Sequence, residues 1–268
     1  MVNPYQAPAF EPPQPRAQYQ QASPLGAPPG PVDRSVSALD ALRFVFADPN
    51  WWKNALYGFL LQFIPLAGPV ALNGWLAETH RRLVWHFERP VPKFSFDDFG
   101  DYLQRGWVAL VAQLAVSMAL LLPMAFVIGF AVAILQGTGR TQEPYLVLVL
   151  LLPIIPLSML LPFAFLSLTT LGELTERLGA ALSPAHNFRY LSKIWAPALG
   201  AMIVMVVMGT LLIVAGLLAC VVGMYISVQV LQLASVHLRW QLYNESLRRG
   251  AGHMEVKAPV QLPSERRV

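Results

Sequence analysis

The chain has 268 residues, of which 55% are hydrophobic and only 13% charged, and its formal net charge is +4. Soluble domains carry about 25% charged residues, so this composition excludes a disordered chain and argues against an ordinary soluble enzyme. The charges are missing from residues 54–77, 106–139, 144–172 and 194–238. Because about 20 apolar residues in a helix cross a bilayer core, we expect a multi-pass membrane protein.

Residues 1–34 differ from the rest of the chain, because they hold nine prolines and five glutamines. Such a segment buries too little apolar surface to offset its ordering entropy, so we expect a disordered cytoplasmic tail, partly polyproline II. A proline-rich ligand for a binding groove is the alternative. Residues 35–249 are predicted to form the membrane domain, and residues 250–268 a polar, loose C-terminal tail.

The first apolar segment is predicted to be a broken helical hairpin. Its first half, from Trp51 to Ile64, makes about 21 Å of helix, which is short for a span. Pro65, Gly68 and Pro69 then interrupt the helix. We expect this hairpin to enter and leave the membrane on the same side, covered by the other helices, because broken backbone at membrane depth must be shielded from lipid.

The last apolar stretch, residues 194–238, would be about 67 Å long as one helix and must therefore turn back. We place the turn between Gly216 and Gly223, where glycine permits a tight reversal. The predicted fold class is an all-α integral membrane protein. It has about four transmembrane helices plus the re-entrant hairpin, which makes five apolar segments, and amphipathic interfacial helices, one of them within residues 172–193.

The basic residues orient the chain. If the first segment re-enters, 18 of the 19 lysines and arginines lie on one side; if it spans, the split is 14 and 5. The positive-inside rule favours re-entry, with both termini cytoplasmic, in the cytoplasmic (inner) membrane of a prokaryote. Five tryptophans at segment ends are the predicted interfacial anchors on that side: Trp51, Trp52, Trp107, Trp195 and Trp240.

Polar and charged residues near the apolar segments are the candidate contact sites. Two pairs at helical spacing, Gln113 with Ser117 and Gln229 with Gln232, are expected to hydrogen-bond between helices. The mixed-charge run from Glu78 to Arg89 is expected to form a solvated face with a salt bridge, or to bind anionic lipid headgroups. The headgroup candidates are Arg81, Arg82 and Arg89.

Ser95 and Asp98 have the spacing of a capping box at a helix start. A small metal or phosphate site that also uses Asp97 and Asp101 is the alternative interpretation of this acidic stretch. Three prolines, Pro153, Pro156 and Pro162, bend the third apolar segment, either as tolerated kinks or to line a cavity.

Three short elements carry a family resemblance. They are Asp48-Pro49-Asn50-Trp51-Trp52, Ile64-Pro65 with Gly68, and Val91-Pro92-Lys93-Phe94 ahead of Asp97 and Asp98. This pattern resembles the prokaryotic multi-pass membrane family catalogued as domain of unknown function 4013. The third element departs from that family, which has leucine, glutamate and tryptophan where this chain has Val91, Lys93 and Phe94. The resemblance implies a multi-pass membrane fold, and it implies no activity.

We identify no catalytic, cofactor-binding or metal-binding motif, since zinc-protease, phosphate-loop and nucleophile-elbow patterns do not occur in the sequence. We therefore expect a non-enzymatic protein that acts by assembly or by contact with a membrane or cytoplasmic protein, with homo-oligomerisation possible and without nucleic acid. A transporter or lipid-handling channel, with its cavity at the proline-broken helices, is the alternative. A membrane hydrolase that uses Ser235 and His237 is a third hypothesis.

Overall fold

The computed structural model describes residues 30–137, 152, 154–218, 220–252 and 254–266, and within these ranges it contains helices and no strand. The predicted all-α class is confirmed. The helices are α1 Ala38–Ala47, α2 Trp51–Leu61, α3 Ala67–Val84, a 3-10 turn Phe96–Asp98, α4 Phe99–Gly137, α5 Ile154–Thr175, α6 Leu178–Ala181, α7 Pro184–Leu218, α8 Val221–Arg248 and α9 Pro263–Arg266. The predicted N-terminal tail up to residue 29, the connection around Arg140, and Pro153 lie outside the described residues.

The first apolar segment is broken, and of the three residues predicted to interrupt it only Pro65 lies in the break, since Gly68 and Pro69 belong to the first turn of α3. Helix α2 ends at Leu61 and α3 begins at Ala67, and Leu66 between them has a φ of 60°. Pro69 lies in the first turn of α3, where its missing N–H costs no helical hydrogen bond. Gly68 is required by close packing, because a Cβ at this position would lie 1.7 Å from the carbonyl oxygen of Leu61. Re-entry into a membrane stays a prediction.

The reversal between Gly216 and Gly223 is also present. Helix α7 ends at Leu218 and α8 begins at Val221. The two glycines face each other across the turn, since a Cβ on Gly223 would lie 2.4 Å from the carbonyl oxygen of Gly216. Only residues without a side chain allow the two backbones to approach this closely.

Among the residues that the structure describes, two helical segments are long and apolar enough to cross a membrane, Phe96–Ile134 and Pro184–Leu218, and Leu161–Thr175 is a shorter apolar helix. Large side chains on the two long segments are exposed, among them Leu122, Phe126, Phe130, Val206 and Leu211. Contiguous exposed apolar surface of this kind marks a contact with lipid or with another protein. The number of four spans stays a prediction.

The core lies at the other end of the bundle. Helix α3 packs against α4, α5 and α8, and α8 also packs against α1, α2 and α7. Large side chains fill this core, among them Trp75, Tyr102, Tyr190 and Leu242. The same end holds the buried charged side chains of Glu78, Arg105 and Glu173 and the largely buried one of Arg239, and we call it the ion-paired end. The opposite end, formed by the second half of α4 and the last turns of α7, is the apolar end.

The C-terminal segment, expected to be a loose tail, is packed against the bundle. Leu262 is fully buried and Val256 nearly so. The backbone N–H of Lys257 donates to the carbonyl oxygen of Leu174 at 2.8 Å. The expectation failed because the polar composition of this segment hides a few apolar residues and ionic contacts that reach into the core.

Candidate functional site

The ion-paired end is organised around Glu78, a fully buried carboxylate near the end of α3. Oε1 accepts hydrogen bonds from Nε of Arg82 at 3.0 Å and from the backbone N–H of Val260 at 3.1 Å. Oε2 accepts from Nη1 of Arg105 in α4. One carboxylate thus joins α3, α4 and the C-terminal segment.

A second buried carboxylate, Glu173 at the end of α5, joins α3 to α8. It accepts from Nη2 of Arg239 at 2.8 Å, and Nδ1 of His80 lies 2.8 Å from its Oε2. Its backbone carbonyl accepts from Nε of Arg81 at 2.8 Å. The guanidinium of Arg81 also lies 2.6 Å from Glu176 Oε1. Four helices therefore meet at two carboxylates.

Each buried charge of this ion-pair network lies close to a side chain of opposite charge, which lowers the cost of burying it. Four carboxylates (Glu78, Glu173, Glu176, Glu265) share five cationic side chains (Arg81, Arg82, Arg105, Arg239, Lys257). Removing one partner of a buried pair leaves an uncompensated charge and costs roughly 3–5 kcal/mol. The network therefore makes this end of the molecule rigid.

Protonation states follow from burial and pairing. Burial lowers the pKa of His80 below its usual value of 6.5, against the opposing effect of Glu173, and so favours the neutral ring. Its Nε2 nitrogen is buried without a hydrogen-bond partner among the described residues. Burial alone would raise the pKa of Glu176, but Arg81 and Lys257 lower it below the usual value.

The C-terminal segment closes over the network. Arg82 donates from Nη1 and Nη2 to the two carboxylate oxygens of Glu265, at 2.6 and 2.9 Å, which is the bidentate geometry of a strong pair. Asp98 accepts from the backbone N–H of Ser264 at 2.9 Å and from its hydroxyl. Ser95 caps the 3-10 turn as predicted, by accepting from the N–H of Asp97. Asp98, however, uses its carboxylate to hold Ser264 rather than to complete a capping box.

A cleft of about 1190 Å³ opens beside the network at the ion-paired end. Arg82 and Glu265 form part of its wall, so the cleft and the network share side chains. Its other walls come from α1, α2, α8 and the connection of residues 86–97. The cleft is open to solvent and larger than the roughly 300–1,000 Å³ of typical small-molecule pockets.

Aromatic rings form a large part of the apolar lining of the cleft, beside charged side chains. The rings are Phe44, Tyr57, Phe87, Phe94, Phe96, Trp240 and the imidazole of His237. Several are fixed by ring contacts, since Phe44 stacks on His237 at 4.4 Å and Phe94 stacks on Tyr102 at 5.4 Å between centroids. Phe87 and Phe96 are exposed, by 43% and 59%. The charged lining residues are mixed in sign, with Arg34, Arg89 and Lys93 beside Asp48, Glu88 and Asp97.

The predicted lipid-headgroup role is wrong for two of its three arginines. Arg81 and Arg82 are buried and bind carboxylates, so neither can reach a headgroup. The prediction that Glu78 to Arg89 forms a solvated face fails for the same reason over its first half. Arg89 is exposed and lines the cleft, and its binding to lipid stays a prediction.

The predicted role as interfacial anchor is wrong for one of the five tryptophans and stays a prediction for the other four. Trp240 is buried against His237, at 5.0 Å between ring centroids, so it is a core residue and not an interfacial anchor. Trp52, Trp107 and Trp195 are exposed and Trp51 is half-buried. Their membrane contacts stay predictions.

The polar helix residues make limited contacts. Nε2 of Gln113 donates to the Thr169 hydroxyl at 3.2 Å, which joins α4 to α5, whereas Ser117 donates back to the carbonyl of Gln113. Gln229 is buried against Gly58. Neither the large cleft nor a smaller one of about 250 Å³ beside Arg177 and His186 is lined by Gln113, Gln229, Gln232 or Pro162.

The residues considered for a hydrolase or a metal site do not form such a site within the described part of the chain. Ser235 donates to the carbonyl of Gln232 and accepts from Arg239, whereas His237 pairs with Gln241, so the Ser–His pair of a hydrolase is not formed. Within the described ranges, no group of three His, Cys, Asp or Glu side chains could hold a metal ion.

The sequence analysis missed the network because its partners are far apart in the chain. His80 and Glu173 are 93 positions apart and Arg82 and Glu265 are 183 apart. One signal was available. Glu78, Arg105, Glu173 and Arg239 all stand at the same-side boundaries of apolar segments, where an antiparallel bundle would bring them together.

Over the described part of the chain, the fold and the site define a helical protein with two segments able to cross a membrane and an ion-paired end that carries the aromatic cleft. The chain belongs to the family described as protein of unknown function, DUF4013, whose profile matches residues 57–224, more than half of its length. The family resemblance is confirmed. Comparison with curated proteins and with solved structures gave no match.

Proposed function

We propose that this protein is a non-enzymatic, multi-pass protein of the cytoplasmic membrane of a prokaryote, and that it holds a protein segment in the aromatic cleft. The observation that carries the proposal is the cleft itself, an open concavity with aromatic rings in its lining that lies beside the ion-pair network. Two apolar segments with exposed hydrophobic side chains support anchoring in the membrane.

The chemistry of the cleft favours a peptide over an anionic headgroup. Four cationic and four anionic side chains line it, so no net positive field attracts a phosphate. Aromatic side chains are the residues that most often anchor protein contacts. The walls are preorganised by the ion-pair network and by the Arg82–Glu265 pair, which lowers the entropy lost on binding.

The orientation supports a cytoplasmic partner. The cleft contains residues of the basic connection, Arg89 and Lys93, and the positive-inside rule assigns that connection to the cytoplasm. The partner is therefore a soluble protein or the cytoplasmic part of a membrane protein.

Site-specific photo-crosslinking tests the proposal in native membranes. A photoreactive phenylalanine analogue at Phe96, which lies in the cleft, is compared with the same analogue at Phe126, which is 74% exposed at the apolar end. We expect a discrete protein adduct from position 96 that disappears when Phe87→Ala is added, and lipid adducts from position 126. The absence of a protein adduct at position 96 both in the full chain and in a chain that lacks residues 1–29, or an adduct that is indifferent to Phe87→Ala, would contradict the proposal.

A further inference from the structure

We propose that the chain's own N-terminal region, residues 1–29, occupies this cleft in cis through its proline-rich sequence. This inference rests on the proposed function, because it names an occupant for the same cleft. The occupant competes with an external protein segment, so the N-terminal region acts as an internal inhibitor of partner binding.

The position at which the described chain begins supports this occupant. Val32 and Arg34 line the cleft, so residues 1–29 are tethered directly to its edge. The tether is fixed on α8, where the backbone N–H of Ser37 donates to Oε1 of Gln241 at 2.7 Å and Arg248 donates to the carbonyl of Arg34 at 3.1 Å. A segment held this close has an effective concentration on the order of 1 mM at the cleft.

The composition of the segment matches the lining. Residues 1–29 include the runs Pro12-Pro13-Gln14-Pro15 and Pro28-Pro29, and their only charged side chains are Glu11 and Arg16. Proline-rich segments favour polyproline II and dock into aromatic-lined grooves at low entropic cost. A nearly neutral ligand also suits a rim on which both charge signs are present.

The chain between the first proline run and Val32 is long enough for this run to contact the cleft. Pro15 precedes Val32 by 17 positions, and a flexible connection of that length has a root-mean-square extension of about 23 Å. The run Pro12-Pro13-Gln14-Pro15 therefore has the length of chain needed to enter the cleft that Val32 lines, where it would lie on the exposed rings of Phe87 and Phe96. Both rings, exposed among the described residues, would then be covered.

Competition of this kind has a measurable size. If the isolated segment binds with a dissociation constant of about 100 μM, an effective concentration on the order of 1 mM weakens an external ligand roughly tenfold. Removal of residues 1–29 should therefore strengthen binding of the external ligand about tenfold.

The experiment compares the full chain with a chain that lacks residues 1–29, both purified in the same detergent. The probe is a fluorescein-labelled peptide of residues 1–31, and binding is followed by anisotropy. We expect the shortened chain to bind the peptide about tenfold more tightly than the full chain. Phe87→Ala with Phe96→Ala in the shortened chain should abolish binding. Phe188→Ala, at a 77% exposed phenylalanine outside the cleft, should leave binding unchanged.

Three results would overturn the inference: equal affinity for both chains, no affinity for the shortened chain, or affinity that is indifferent to the cleft substitutions. A second measurement, made on the full chain, tests the inference even if the chain that lacks residues 1–29 fails to fold. With the photoreactive analogue at position 96 of the full chain, peptide mapping should find an intramolecular adduct within residues 1–29. Adducts only to lipid, or adducts to a second copy that increase with protein concentration, would contradict occupancy in cis.

Failure of this inference can be told from failure of the proposed function. If the peptide binds the shortened chain but position 96 of that chain captures no protein in membranes, the proposed function fails and occupancy by the N-terminal region stands. If position 96 captures a protein but the peptide does not bind, only the present inference fails.

Discussion

Gly106 of α4 lies directly against Gly74 of α3, so that a Cβ on Gly106 would approach the backbone nitrogen of Gly74 to 2.6 Å and the carbonyl oxygen of Val70 to 1.7 Å. The two helices therefore pack backbone to backbone. This contact places Glu78, one turn further along α3, within reach of Arg105. The glycines thus set the geometry on which the ion-pair network depends.

Gly106→Ala should consequently destabilise the fold severely, because the added methyl group collides with backbone and not with a side chain that can move. We expect a loss of more than about 3 kcal/mol, measured by thermal unfolding in detergent. Gly100→Ala is the matched control in the same helix, since a Cβ there meets nothing within 4 Å. Helix propensity predicts that the control gains up to about 1 kcal/mol. Equal behaviour of the two variants would contradict the close approach.

Glu173→Gln should cost roughly 3–5 kcal/mol of unfolding free energy, because it leaves Arg239 buried without its counter-charge. The control is Glu255→Gln, which breaks the exposed pair with Arg177 and should cost less than about 1 kcal/mol. Denaturant titration of both variants gives the comparison. Similar losses would mean that Glu173 is not buried as described.

The stability of the protein should fall as the pH is lowered from 7.5 to 5.5. Burial lowers the pKa of His80 in the folded state below the value of 6.5 expected after unfolding, so the unfolded chain binds the additional proton. The contribution is therefore present above pH 6.5 and is lost as the pH falls through the folded-state pKa, with a slope of at most about 1.4 kcal/mol per pH unit. Burial tends to raise the pKa of Glu265, but its pairing with Arg82 lowers that pKa below 4.5. Protonation of Glu265 therefore adds a further loss of stability in more acidic solution.

His80→Asn separates this effect from other titrations. The asparagine amide can donate to Glu173 in place of Nδ1, and it does not titrate. Unfolding midpoints measured between pH 7.5 and 5.5 should depend less steeply on pH in the variant. An unchanged slope would exclude His80 as the source of the pH dependence.

Leu262→Ala tests the packing of the C-terminal segment. Leu262 is fully buried, and truncation of such a leucine costs about 2–5 kcal/mol. Leu39→Ala, at a half-exposed leucine of α1, should cost much less. If thermal unfolding gives the same midpoint for Leu262→Ala as for the unaltered chain, the segment is loose after all.

Reporter fusions test the orientation. A reporter inserted after Lys93 should be cytoplasmic and one inserted after Arg140, in the connection outside the described residues, should be external. This follows from the distribution of basic residues when the first apolar segment re-enters. An external signal at Lys93 would show that the first segment spans the membrane instead.

The backbone features were the most predictable part of the fold. Pro65 lies in the break between α2 and α3, whereas Pro123, Pro162 and Pro197 lie inside long helices, so the clustering of Pro65, Gly68 and Pro69 indicates a break where a single proline does not. As one helix, the last apolar stretch would be about twice as long as a bilayer core is thick, so it had to turn back. These are local or geometric constraints that a single sequence contains. The helix break and the turn at Gly216 to Gly223 appear where they were predicted.

The candidate site was much less predictable. Arg81 and Arg82 have the i, i+3 and i, i+4 spacing to Glu78 that is equally typical of a solvated helix face. Only the tertiary structure shows that Arg105 pairs with Glu78. The same holds for the hydrogen bond from Arg81 to the carbonyl of Glu173 and for the pair between Arg82 and Glu265. The aromatic cleft is likewise assembled from α1, α2, α8 and a connection, and no local pattern in the sequence identifies such a surface.

The contact between Glu78 and the backbone N–H of Val260 spans 182 positions of the chain. At a synthesis rate of about 5–20 residues per second, Glu78 and Arg82 leave the ribosome roughly 10–40 s before their C-terminal partners exist. During that interval the nascent protein carries an incompletely paired cluster of charges beside its first apolar hairpin. Completion of the ion-paired end is therefore a late event in biogenesis, and the order of translation itself delays formation of the finished cleft.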